Sequence, residues 1–170
     1  MNVIQKSTSM KPETPLPLKR LITSSLLYIG IILIGAVIAM IENLPAEAAG
    51  LTSSAPVWQG FLYGNGTAMS PPLYWLIAQA ILTALAPRGG LWGIVGIVGL
   101  IVTGLLFSVF GALEPIVLKI FSPASFDLLK VIIVTAGIVL AFLMVVFGLL
   151  ELVRRSRSRR ISQMPTTSMR

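Results

Sequence analysis

The strongest constraint on this chain is the length of its apolar runs. Residues 21–41 and 91–113 carry no charged side chain, and residues 131–153 carry only Glu151, close to their end. A shorter run, "PPLYWLIAQAILTALA", covers residues 71–86. A membrane-crossing helix needs about 20 mainly apolar residues, with a range of roughly 17–25. Hydrocarbon offers no water to unpaired N–H and C=O groups, so runs of this length must be helices. The expected fold is all-α: an integral membrane four-helix transmembrane bundle, with spans at about 21–41, 71–86, 91–113 and 131–153. The second run is the shortest of the four.

Composition agrees with that solvent. Hydrophobic residues make up 55% of the 170 positions and charged residues 11%, and the mean hydropathy is +0.90. A soluble domain carries about 25% charged residues, so this chain cannot clothe a water-facing surface. There is no cysteine and no histidine. That removes disulfides, thiolate metal sites and the commonest metal ligand. No cofactor and no metal are expected. The chain holds no G-x-S-x-G, P-loop or H-E-x-x-H motif. Its glycine-rich stretch is not preceded by a strand, as a dinucleotide site requires. Enzymatic activity is therefore not expected. A membrane-embedded enzyme would have to draw on Glu42 and Glu114 at the outer boundary.

The net charge is +7, and its placement sets an orientation. Lys6, Lys11, Lys19 and Arg20 precede the first run, and Arg154, Arg155, Arg157, Arg159, Arg160 and Arg170 follow the last. The loop at 42–70 has no Lys or Arg, the turn after the second run has Arg88, and the loop at 114–130 has Lys119 and Lys130. Positive loops stay cytoplasmic. Four, one and six basic residues against two place both termini inside. Residues 1–20 form a basic, proline-containing cytoplasmic segment, disordered over its polar part. Residues 42–70 form an extracytoplasmic loop, and 154–170 a basic cytoplasmic tail, disordered after Arg160. Ala46–Glu47–Ala48 resembles a signal-peptide cleavage site, but the first run exceeds the 7–15 apolar residues of such peptides and reads as a span. Ser70, before Pro71–Pro72, and Ser122, before Pro123, read as helix N-caps. The location is a cell membrane, multi-pass.

The third run contains "LWGIVGIVGLIVTG". A glycine in a water-soluble helix costs about 0.5–1 kcal/mol relative to alanine. Between membrane helices there is no hydrophobic attraction. Close backbone approach replaces it, and small residues permit that approach. Gly93, Gly96, Gly99 and Thr103 recur at steps of three and four, so they share a face. Gly104, Ser108 and Ala112 form a second ridge. The third helix is therefore expected at the centre of the bundle. Gly35–Ala39 and Gly137–Ala141 are the expected partner ridges. A homo-oligomer seam would use the same chemistry.

Ionisable residues at mid-depth mark function by default, and here the spans have none. Gln79 is the one strongly polar side chain near mid-span, a candidate lining group or a bond to a neighbouring helix. Thr83, Thr103, Ser108 and Thr135 read as bonding their own helix carbonyls. Glu151, followed by Arg154 and Arg155, reads as an exposed helix-end ion pair. The aromatic stretch Trp58, Phe61, Tyr63, Tyr74 and Trp75 reads as an interfacial segment capping the outer leaflet. Asn65–Gly66–Thr67 fits both a turn and a glycosylation acceptor. Arg154, Arg155, Arg157, Arg159 and Arg160 are candidate contacts for anionic inner-leaflet lipids, each basic residue contributing about 1 kcal/mol near such a surface. The basic clusters abut apolar runs, so the partner is the lipid bilayer and not nucleic acid.

These features point to a non-catalytic scaffold or accessory subunit that works by helix packing, alone, as a homo-oligomer or in a larger membrane complex. The alternative is a small-solute or lipid transporter or channel, for which Gln79 is the main available lining group.

Overall fold

A computed structural model of the chain describes residues 14–45, 47–48, 51–52, 56–113 and 127–162. Expectations for residues 1–13, for Glu114, Lys119 and Ser122–Pro123, for the end of the tail, and for the side chains of Arg159 and Arg160 lie outside the described residues. Among the described residues there are five helices and one small hairpin. The helices are α1 (Leu16–Ile41), α2 (Val57–Tyr63), α3 (Leu73–Leu85), α4 (Gly90–Leu113) and α5 (Leu128–Ser162), and the hairpin pairs Glu47–Ala48 with Leu51–Thr52. Three of the helices, α1, α4 and α5, are long and apolar enough to cross a membrane.

Local chemistry sets the boundaries. α1 opens on Pro15 with a second proline in its first turn, where the missing N–H has no helical partner to lose. It closes with Asn43 at φ 55°, while Asn43 N–H reaches Met40 O at 3.3 Å and Leu44 N–H reaches Ala39 O at 2.8 Å. That pair of bonds is a Schellman stop, with Asn supplying the left-handed residue. α3 follows Pro72 and has no side-chain cap. Ser70 does not cap it, because its hydroxyl faces Thr67 Oγ1 at 3.1 Å. Pro87 stops α3, and Gly90 at φ +65° turns the chain into α4. α5 starts at Asp127, whose Oδ1 accepts the Leu129 N–H at 3.0 Å. It continues unbroken to Ser162, so the arginine-rich segment begins as helix and not as a separate tail.

α1, α3, α4 and α5 form a closed ring in which each packs on two neighbours, in that order. All neighbours are antiparallel. Ser25 of α1 meets Thr83 of α3, and Gly35 meets Met69 just before it. Ile101 of α4 packs at Gly148 of α5, and Gly104 at Ala141. Arg20 lies over the Phe147 ring at 5.8 Å, while Glu42 pairs with Lys130. The N-terminal end of α1 and the C-terminal end of α5 therefore leave the same end of the molecule. The third apolar run is not central, as its two small-residue ridges suggested. It is one corner of the ring, with Gly93, Gly96 and Gly99 on the side of α3 and Gly104 on the side of α5.

The corner built by the second apolar run is composite. α3 has 13 residues, about 20 Å at 1.5 Å per residue, against a hydrocarbon thickness of about 30 Å. The missing length is filled by the non-helical segment before it. Gly66, Thr67, Ala68, Met69 and Ser70 are all buried, with Ala68 and Met69 packed against Ala39 and Ile133. The end of the loop expected on the surface thus dips between α1 and α5. Its polar groups are paired within the fold: Thr67 N–H to Ser70 O at 2.8 Å, Met69 N–H to Thr67 Oγ1 at 3.2 Å, and Ala68 N–H to Leu44 O at 3.3 Å. Burial in protein with paired polar groups is what non-helical backbone would require at membrane depth. Gly66 is essential to the bend: it sits at φ +97°, and a Cβ there would run into the backbone of Ser70 and Pro71.

Candidate functional site

Leu76, Gln79, Thr83 and Ala86 lie three and four residues apart and form the buried face of α3. Gln79 is completely inaccessible (0%). Its Nε2 donates to Ser25 Oγ of α1 at 3.2 Å and to Met144 Sδ of α5 at 3.3 Å. Ser25 and Thr83 hydroxyls are 2.7 Å apart, and Thr83 donates to Gln79 O at 2.7 Å. One amide therefore ties three helices together. Bonds of this kind between membrane helices average about 0.6 kcal/mol. Gln79 Oε1 is different: among the described residues it has no hydrogen-bond partner. An unsatisfied buried acceptor costs about 1–3 kcal/mol. On the side of this cluster nearer the start of α3, buried Tyr28 stacks on Phe107 at 5.5 Å, and exposed Trp75 lies edge-on to Phe107 at 6.2 Å.

The end of the ring near Ala86 is held by charge. Glu151 is fully buried. Arg154 grips it in bidentate fashion at 2.7 and 2.8 Å, and Arg155 Nε adds a bond at 2.8 Å. The rest of the Arg155 fork donates to Ala86 O at 2.9 Å and Arg88 O at 3.3 Å. Ala86 is the C-cap of α3, where carbonyls lack intrahelical partners, and Arg88 lies in the turn beyond it. This is a clamp between α5 and the α3–α4 turn built on a buried carboxylate, with the arginines partly exposed, and not the exposed ion pair read from the spacing. It occupies Arg154 and Arg155, whereas Arg157 is exposed.

Three glycines of α4, Gly93, Gly96 and Gly104, sit where other backbone passes. A Cβ on Gly93 would collide with Arg88 O and meet Arg155 Nη1 at 2.5 Å. On Gly96 it would lie 2.5 Å from Ala86 N and 2.8 Å from Leu82 O, and on Gly99 2.5 Å from the Leu82 side chain. On Gly104 it would lie 2.7 Å from Ala141 O. Thr103 is buried and donates to Gly99 O at 3.0 Å, within its own helix. Gly93, Gly96 and Gly99 thus face α3 and its turn, and Gly104 faces α5. The structure does not bring Gln79 into contact with the arginines.

At the opposite end Lys130 bridges Glu42 and Asp127, the latter at 3.2 Å. The Lys130 hydrogen bond holds the Asp127 carboxyl below the usual carboxylate range. α2 lies beside this end with Trp58 and Tyr63 exposed and Phe61 buried. Ser25, Thr83, Met144 and the Tyr28–Phe107–Trp75 stack were not singled out as a site by the sequence. The Ser24–Ser25 pair inside an apolar run was the available signal.

No protein-family model matches the chain, and no curated protein or solved structure is detectably similar to it.

Proposed function

We propose that this chain is a multi-pass integral membrane protein with four crossings and both termini cytoplasmic, acting as a non-catalytic scaffold or accessory subunit through helix packing. The membrane reading rests on the outward faces. Leu33, Val37, Ile77, Ile81, Val98, Val102, Phe142 and Leu149 are all exposed, an apolar surface too extensive for a monomer in water. Lys130 and Glu151 are 21 residues apart on α5, about 32 Å of helix, which matches a hydrocarbon core of about 30 Å. Lys19, Arg20, Arg88, Arg154, Arg155 and Arg157, set against Glu151, gather at one end, and the other end carries Glu42, Asp127 and Lys130. Positive charge on that scale favours the cytoplasmic, anionic leaflet, with exposed Arg157 available to contact its headgroups.

The observation that carries the packing role is the backbone approach at Gly96 and Gly104. The sequence spends its conformational freedom on fitting helices together, and its buried polar groups mostly bond one another. Photocrosslinkers placed at the lipid-facing positions Leu33, Val98 and Phe142 in native membranes test the role. One discrete adduct, to a second copy or to a defined membrane partner, is expected. Adducts to lipid alone at all three positions contradict a scaffold or subunit role. A small-solute transporter or channel is the second reading, favoured by the unsatisfied oxygen of Gln79.

A further inference from the structure

We infer that Gln79 Oε1 is the acceptor of a buried site for one small, neutral hydrogen-bond donor, with water as its smallest occupant. The hydrogen-bond directions make this specific. Thr83 gives its proton to Gln79 O, so its hydroxyl oxygen accepts from Ser25. Ser25 has then spent its own proton and accepts from Gln79 Nε2. Turning the amide over would set Oε1 against a hydroxyl oxygen with no proton to offer. Nε2 is also directed at Met144 Sδ, so both of its protons are engaged. The free valence at the cluster is an acceptor only, and the ligand must donate. It must be neutral, because the charged groups nearest the cluster on α5 already have partners, Glu151 with Arg154 and Arg155 toward one end and Lys130 with Glu42 and Asp127 toward the other, and leave no counter-charge beside Gln79 among the described residues. It must be small, because Ser25, Thr83 and Met144, which bond within the cluster, are all buried.

The inference goes beyond the packing role but rests on the membrane reading, since only there is bulk water excluded from Ile77 and Val98. The test uses the unaltered protein in lipid bilayers, with labelled glutamine and labelled Ile and Val methyls. Solid-state NMR follows the transfer of water magnetisation into each site. The Gln79 signal is identified by its loss in Gln79→Asn. Transfer to Gln79 Cδ is expected to build up alongside that of exposed Gln59, with Ile77 and Val98 lagging far behind. A Gln79 signal that lags with Ile77 and Val98 overturns the site while leaving the membrane reading intact. Fast transfer to Ile77 and Val98 as well overturns the membrane reading, and the site with it.

Discussion

Replacing Gly96 by alanine adds one methyl group where the last turn of α3 passes. The new Cβ would lie 2.5 Å from Ala86 N, 2.8 Å from Leu82 O and 2.8 Å from Leu85 C. All three are backbone atoms and cannot rotate away, so α3 and α4 must separate. Overpacking a well-filled interior costs about 1–3 kcal/mol, and backbone contacts belong toward the upper part of that range. Alanine returns about 0.5–1 kcal/mol through its better helix propensity. The net expectation is a loss of about 1–2 kcal/mol. Two comparisons isolate the cause. At Gly99 the contact is the Leu82 side chain, which can shift, so Gly99→Ala should cost less. At Gly30 a Cβ meets nothing within 4 Å, so Gly30→Ala should be neutral or stabilising. The assay is unfolding by SDS titration in mixed micelles, read from tryptophan fluorescence. Equal stability of all three variants, or a Gly96→Ala protein as stable as the parent, would refute the packing argument.

Glu151→Ala should lose about 2 kcal/mol in the same titration, less than the 3–5 of a wholly buried pair because the released arginines reach solvent; an unchanged midpoint would show the clamp to be idle. Arg155→Ala uncaps Ala86 O and Arg88 O and should speed tryptic cleavage after exposed Arg88, a rate that will not change if the turn is held by other means. Asn43→Gly should be tolerated and Asn43→Val should cost about 1–3 kcal/mol, since a β-branched residue resists the left-handed backbone; the order reversed would remove the Schellman account of the α1 terminus. Asp127 has a depressed carboxyl pKa in the folded state, so its contribution is present above the ordinary carboxylate range and lost as pH falls through that lower value. Unfolding midpoints taken down an acid series should show a component that Asp127→Asn abolishes, and identical series for both proteins would contradict the Lys130 tether.

Hydropathy reports the solvent around a segment, and so the three long helices were legible. Local punctuation was legible too, as at Pro87 and the Gly89–Gly90 turn. The composite corner was not. Residues 66–70 are mostly small, with two hydroxyls and only Met69 large and apolar, and look like surface loop. Their burial depends on α3 being short and on Gly35, Ala39 and Ile133 leaving room, which are tertiary facts. The position of α4 was misread for a related reason. Spacing identifies a face but not what lies against it, and two small-residue faces fit a corner as well as a centre. The arginines after Glu151 showed the same limit. Their i+3 and i+4 spacing announced an ion pair, while burial of the carboxylate and the reach of Arg155 to Ala86 depend on the α3–α4 turn. Gln79 stood out as the lone amide in an apolar run, but its partners Ser25 and Met144 sit on helices far away in sequence.

The central claim is that the chain crosses hydrocarbon at α3 although that helix is short. The sequence contains no cysteine, so single substitutions at exposed Asn65, Arg88 and Arg157 each carry one thiol. In sealed vesicles of known orientation, a membrane-impermeant thiol reagent should label Asn65→Cys from one face, and Arg88→Cys and Arg157→Cys from the other. Labelling of Asn65→Cys and Arg88→Cys from the same face would make α3 a re-entrant element that does not cross, and would contradict the account.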